Sequence, residues 1–258
     1  PSTNYGIAYT PYTADGTCKP SAQITHDLTQ LAASGYAVVR LYGTDCDQTR
    51  LVLAAAREPG LRVVAGLADL THVADDLARI IDAAADDWRP IHTVAIGNEL
   101  LHSGRNTAAE IVGAVQAARA TLRGAGYDGP VVAVDTVAAL LAHPGVCAVS
   151  DYCAANCHAF FDEDVEAEGA GAFVRAQVGS KSNRNKKVVI TESGWPHAGQ
   201  PNGKAVPSLE NQRAAVRSLR EAFAGGSSLV LFSAFDDLWK VDNGDTFGAE
   251  KFWGILGH

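Results

Sequence analysis

Two glutamates sit where a carboxylate is costly. Glu99 closes the run Val94-Ala95-Ile96-Gly97-Asn98-Glu99, and Glu192 closes Val188-Val189-Ile190-Thr191-Glu192. A carboxylate at the end of a buried apolar run costs free energy unless it is paired, hydrogen-bonded or protonated. Two of them facing each other suit glycoside hydrolysis. There, one carboxylic acid protonates the leaving oxygen while the other carboxylate attacks or activates water. Mutual repulsion and unequal burial keep one protonated and the other ionised near neutral pH. For either glutamate alone the simpler account is a structural ion pair, with Arg40 or Lys240 as partner. The pair together, with the aromatic residues around it, favours catalysis.

Sugar rings present apolar faces that stack on aromatic side chains. Eight of the 19 Phe, Trp and Tyr residues fall at the ends of apolar runs: Tyr9, Tyr12, Tyr42, Phe160, Phe161, Trp195, Phe235 and Trp239, with His158 beside them. Taken singly, such residues are more often core, Phe160 and Phe235 above all. Their clustering favours a sugar platform, most clearly for Tyr42, Trp195 and Trp239.

The elements that must position these groups recur at about 32-residue spacing. Eight apolar, β-prone runs cover 5–12, 37–43, 62–67, 93–100, 130–136, 152–161, 187–195 and 228–235. Several are continuously apolar, as in strands buried on both faces of a parallel sheet. Helical periodicity lies between them over 24–34 after a Ser21 cap signal, and over 70–88, 107–123 and 208–223. The connection 137–150 is interrupted by Pro144 and Gly145 and predicts a stunted helix. Alternating strands and helices over one even composition predict an α/β protein, a single (β/α)8 barrel spanning 1–258. A doubly wound sheet fits less well, because Thr10-Pro11-Tyr12 follows the first strand where a GxGxxG turn would be expected. In a barrel of this kind Glu99 and Glu192 stand at the C-terminal ends of strands four and seven, where catalytic groups gather.

Composition narrows the partners. Lys and Arg number 21 against 29 Asp and Glu, a net charge of −8. The one basic run, 181–187, reads as a solvated loop, so no nucleic-acid partner is expected. No apolar stretch reaches about 18 residues, so no membrane span is expected. The eight His residues show no HExxH or paired metal spacing, and 162–166 lacks a calcium-loop pattern, so neither metal nor cofactor is expected. His102 reads as structural, and Cys157 cannot form a dyad with His158, since neighbours on a strand point to opposite faces. Five cysteines suit two disulfides and one free thiol in an exported protein, with Cys18–Cys46 the favoured pair because both follow strands. Methionine is absent even at position 1, so a processed N-terminus with any export signal removed is expected.

The segments AIGNEL (95–100), VVITESGWP (188–196), LFSAFDDLWK (231–240) and EKFWGIL (250–256) resemble glycoside hydrolase family 17, the β-1,3-glucanases and fungal wall β-1,3-glucanosyltransferases. The resemblance runs from YGIAYTPY to the C-terminus. It implies a retaining enzyme with Glu99 as acid/base, Glu192 as nucleophile and Asn98 on the sugar 2-hydroxyl. It also places Asp236, Trp239 and Lys240 among the substrate contacts. Three departures stand out. Asp237 replaces a glutamate in the FDENWK pattern, His158-Ala159 replaces the plant Tyr-Pro, and only 31 positions separate Phe161 from Glu192. The last lacks the plant subdomain beside the cleft and is similar to the fungal wall-remodelling branch.

The expected protein is thus a secreted, extracellular or wall-bound enzyme, acting as a monomer on β-1,3-glucan or laminari-oligosaccharides by hydrolysis, transglycosylation or both. Its expected contacts are Asn98, Tyr9, Tyr42, His158, Phe160, Phe161, Trp195, Asp236, Trp239 and Lys240. The alternative is a barrel that binds wall glucan without catalysis.

Overall fold

A computed structural model describes residues 5–179, 186–226 and 228–257. Eight parallel strands close into one barrel in sequence order: β1 (Gly6–Ala8), β2 (Val38–Arg40), β3 (Arg62–Leu67), β4 (Ile91–Asn98), β5 (Val131–Thr136), β6 (Cys153–Asn156), β7 (Val188–Ser193) and β8 (Leu229–Leu231). Closure is made by β1 pairing with β8, Gly6 beside Val230. The expected (β/α)8 barrel is what the chain forms. Several strands are shorter than their apolar runs. Residues beyond Ala8 and Leu231 leave the ladder and build the barrel mouth.

The helices are α1 (Ser21–Ala33), α2 (Gln48–Ala56), α3 (Val73–Ala84), α4 (Ala108–Gly124), α5 (Val137–Ala142), α6 (Pro144–Val149), α7 (Ala170–Gly179) and α8 (Leu209–Ala222). Periodicity did not announce α2 and α7. α2 begins straight after the turn 45–47, and α7 follows a short turn at Ala167–Gly169. The expected Ser21 cap is not made, since Pro20 holds the cap position without a side-chain bond. Thr107 does cap α4. It accepts from the Glu110 amide, and Glu110 answers onto the Thr107 amide, which satisfies two donors that a helix start leaves open. The fifth connection is broken, as expected, into α5 and α6, with Pro144 at the start of the second. Of the basic run 181–187, residues 181–185 lie outside the described part. Lys186 donates to the carbonyls of Cys147, Ala148 and Ser150.

Alternate strand residues divide between two buried clusters, as the two-residue strand period requires. Val63, Ala65, Ile96, Val131, Ala133, Ala155 and Ile190 pack outward against helix residues such as Leu28, Leu53, Ile80 and Val115. Val64, Ala95, Val132, Val134, Tyr152, Ala154 and Val189 fill the barrel interior. Above this apolar floor the interior turns polar, with Arg40, Asn156, Thr191 and Glu192 all buried at the C-terminal strand ends. Two disulfides form, Cys18–Cys46 as favoured from the sequence and Cys147–Cys153 between α6 and β6, leaving Cys157 free and buried.

Candidate active site

The end of β4 explains the Gly-Asn-Glu motif. Gly97 adopts φ +76° and Glu99 φ +54°, and the pairing with β5 slips between Ala95 and Asn98. Glycine takes the first of these conformations without penalty. A glutamate in the second is held by its surroundings at a cost of about 1–3 kcal/mol. The turn beyond is pinned from β5. Buried Asp135 accepts from the amides of Leu101 (2.8 Å) and His102 (3.2 Å). The end of β7 explains Glu-Ser-Gly-Trp. A Cβ at Gly194 would drive into the Phe232 carbonyl oxygen, so only glycine lets β7 and the β8 loop close beside Glu192.

Arg40, at the end of β2, organises the floor between the glutamates. It is 1 % exposed. Its Nη1 donates to Glu192 Oε1 at 2.6 Å and to the Thr191 carbonyl at 2.8 Å. Its Nη2 donates to Asn98 Oδ1 at 2.8 Å. Asn156, ending β6, donates from Nδ2 to Asn98 Oδ1 (3.1 Å) and to Glu99 Oε1 (2.8 Å), and its Oδ1 accepts from Thr191 Oγ1 (2.9 Å). His158 Nε2 lies 3.3 Å from the second oxygen of Glu192.

This floor pushes the two carboxyls apart. Burial raises Glu99, and the charge of Glu192 raises it further, against smaller lowering by Asn156, His158 and His102. Burial is the largest single effect on Glu192 and opposes its ionisation, but Arg40, His158 and Tyr42 together outweigh it and hold that carboxyl at about 2. Between the low midpoint of Glu192 and the raised midpoint of Glu99, one side chain is a carboxylic acid and its neighbour a carboxylate, which is the acid-and-nucleophile division glycoside cleavage requires. The Arg40 ion pair weighed as a structural alternative is therefore present. Its effect is to keep Glu192 ionised. Lys240, the other candidate partner, pairs instead with Asp237 (3.3 Å) and Glu250 (3.9 Å).

The expected contacts divide. Asn98, Tyr42 and His158 join Glu99 and Glu192 on the floor. The Tyr42 ring lies 4.5 Å from the Arg40 guanidinium, and its hydroxyl is raised by burial and by the Glu192 charge. Phe161 is 45 % exposed, and Trp239 is partly exposed, edge-on to Tyr12. Tyr9, Phe160 and Trp195 are corrections to the expected rim. Each is at most 1 % exposed, so none presents a ring face to a sugar. The Tyr9 hydroxyl donates to Asp27, Trp195 Nε1 donates to the Val206 carbonyl, and Phe160 packs edge-on against Trp195 and Trp253. Apolar strand-end runs cannot by themselves say whether a ring turns inward to the core or outward to the mouth. Asp236 faces His197 at 3.0 Å and accepts the Gly254 amide, while Lys240 lies 4.7 Å from the Phe232 ring. Asp237, where the family pattern has glutamate, is buried and accepts from Thr10 and Trp239.

Sequence reasoning missed Asn156, Asp135 and Trp253. Trp253 gathers His158 (4.9 Å), Phe232 and Phe161 around it. Asn156 was readable in YCAANCH by the filter that marked the glutamates, a lone polar residue ending an apolar strand. Among the described residues, no group of three or more His, Cys, Asp or Glu is placed to hold a metal ion, and no helix is long and apolar enough to cross a membrane.

A family model described as the BtgE/BtgC glycoside hydrolase domain matches residues 6–254. The chain belongs to that family. Among curated proteins it is similar to the cell surface mannoprotein MP65 of Candida albicans, 44 % identical over 97 % of this chain and 66 % of that protein. The probable family 17 glucosidase SCW10 of Saccharomyces cerevisiae is 43 % identical over 97 % of this chain and 64 % of its own length. The family 17 resemblance carried by the Gly-Asn-Glu and Glu-Ser-Gly-Trp-Pro motifs is thus met. The chain spans just under two thirds of the length of these relatives. Among solved structures, a β-1,3-glucanosyltransferase of Rhizomucor miehei in complex with laminaritriose superposes with a TM-score of 0.84 at 23 % identity, over 99 % of this chain and 93 % of that one. An endo-laminarinase of Formosa gives 0.81 at 17 %, over 99 % and 84 %. At such identities these two structures speak for the fold.

Proposed function

We propose that this BtgE/BtgC domain cleaves β-1,3-glucan by double displacement with retention of configuration. The observation that carries the reading is the unequal setting of two neighbouring carboxyls, Glu192 paired with Arg40 at 2.6 Å and Glu99 bonded to the neutral Asn156 amide at 2.8 Å and raised by burial and by the Glu192 charge. Glu192 attacks the anomeric carbon while Glu99 gives its proton to the departing oxygen. Glu99 then takes a proton from the incoming acceptor as the glycosyl-enzyme bond breaks. Water as acceptor yields hydrolysis, and a glucan hydroxyl yields transfer, with the same residues serving both. With Oδ1 of Asn98 taken by Arg40 and Asn156, its Nδ2 is left to bind a sugar hydroxyl. Phe161, Tyr42 and Trp239 supply the stacking surface.

The substrate class is supported by the Rhizomucor enzyme, whose structure is described with laminaritriose, and by family 17 membership of the yeast relatives. A place at the fungal cell surface is supported by the mannoprotein relative and by the two disulfides, which suit an oxidising compartment. The domain is proposed to act as a monomer on glucan, with no cofactor or nucleic-acid partner.

The deciding experiment is product analysis on a defined laminari-oligosaccharide, with the anomeric configuration of the first product read by proton NMR. Retained β products are expected, longer than the substrate where transfer operates and shorter where water wins. Inverted products overturn the double displacement. Absence of turnover with measurable oligosaccharide binding overturns catalysis and leaves the glucan-binding barrel.

A further inference from the structure

Asn156 stands on β6 beside β7, its backbone in register with Glu192, yet its side chain reaches the β4 residues Asn98 and Glu99. Its orientation follows from a chain of donors and acceptors. A guanidinium only donates, so the Asn98 atom that Arg40 meets at 2.8 Å is the oxygen. The Asn156 atom 3.1 Å from that oxygen must then be the amide nitrogen, and the same nitrogen lies 2.8 Å from Glu99 Oε1. The other end of the amide agrees, because Oδ1 receives Thr191 Oγ1 at 2.9 Å and Arg40 Nη1 at 3.4 Å. Glu99 Oε1 is thereby committed as an acceptor. Among the described residues no partner meets Glu99 Oε2, and the side chain is half-buried and not sealed, which leaves that oxygen open to the mouth.

We infer that Asn156 is a positioning residue that fixes Oε2 as the proton-carrying oxygen of Glu99, and that it does so under the control of Arg40, which also pairs with Glu192. The inference rests on the glycosidase reading above. In the first step the Oε2–H bond breaks and its proton goes to the glycosidic oxygen, as the C1–O bond breaks and a bond from Glu192 to C1 forms. In the second, the acceptor O–H gives its proton to Oε2 as its oxygen takes C1 from Glu192. Oε1 keeps its amide bond throughout, so the carboxyl need not rotate between the steps. The titratable and charged groups that face Glu99 are Glu192 from β7, His158 after β6, His102 after β4 and Arg40 from β2. Asn156 is the neutral donor among them, and it favours the carboxylate needed at the end of the first step.

The test is Asn156→Ala and Asn156→Asp, read by the pH profile of kcat/KM and by carbon-13 NMR titration of the Glu99 carboxyl, which needs no turnover. Asn156→Ala is expected to move the basic limb and the Glu99 midpoint upward by roughly one pH unit. It should lower kcat by about 10- to 100-fold with KM little changed. Asn156→Asp, which keeps the shape but places a carboxylate beside Glu99, should move both midpoints at least as far upward. A midpoint at or below that of the unaltered protein in either variant overturns the inference, even if activity falls. If the unaltered protein turns over no glucan while the Glu99 midpoint still rises in Asn156→Ala, the positioning of Glu99 stands and the glycosidase reading fails.

Discussion

Replacing Glu192 by Gln keeps the shape of the side chain and removes the charge that Arg40 meets at 2.6 Å. Turnover of laminari-oligosaccharides should fall by roughly 10⁴-fold or more. Affinity measured by calorimetry should persist, because Asn98, Tyr42 and Phe161 are untouched. The same two carboxyls set the pH response. Activity requires Glu192 ionised, above about 2, and Glu99 protonated, below a midpoint raised over its ordinary 4.5. The kcat/KM profile should therefore lose rate on a basic limb lying above 4.5, and Glu99→Gln should remove that limb along with most of the rate. The stability signs are opposite for the two groups. Glu192, depressed from 4.5 to about 2, contributes stability that is present above 4.5 and is lost as pH falls toward 2. Glu99, raised, contributes stability below 4.5 that is lost as pH rises through its folded midpoint.

Among the elements, α4 hangs on its first turn. The reciprocal bonds of Thr107 and Glu110, both exposed, hold the segment that follows the Glu99 turn. Thr107→Ala should cost about 1 kcal/mol in denaturant unfolding and leave kcat unchanged. Gly194 behaves differently, because its place is set by the Phe232 backbone and not by a cap. The helices that periodicity revealed, α1, α3, α4 and α8, carry a longer apolar stripe. α2 and α7 are short and enter from turns, so their faces are set by the strands they cover.

At the scale of the whole molecule, the segments after the strands build the mouth, and one of the two disulfides, Cys18–Cys46, restrains them, while Cys147–Cys153 ties α6 to the start of β6. Cys18–Cys46 spans 28 positions between the loops after β1 and β2, whereas Cys147–Cys153 spans only 6. Loop-closure entropy then assigns about 3–4 kcal/mol to the first and about 2 kcal/mol to the second. Cys18→Ala with Cys46→Ala should accordingly lower Tm more than Cys147→Ala with Cys153→Ala, as calorimetry can check. Cys157, buried, with its thiol pushed up by burial to about 12, should resist alkylation in the folded protein.

The barrel and its two glutamates were legible in the chain alone. Strand period, loop spacing and the cost of a lone carboxylate on an apolar strand are local properties, and local properties survive in sequence. The family motifs followed from the same constraints, a glycine that must take φ +76° before Glu99 and another pressed on the Phe232 carbonyl after Glu192. Which glutamate is ionised was not local. It depends on Arg40 arriving from β2, His158 from beyond β6 and Asn156 from β6, groups separated by up to 152 positions that closure of the barrel brings within hydrogen-bond reach. The inward turn of Tyr9, Phe160 and Trp195 was decided in the same way, by packing between distant elements, because the facing of a ring at a strand end is set by its neighbours in space.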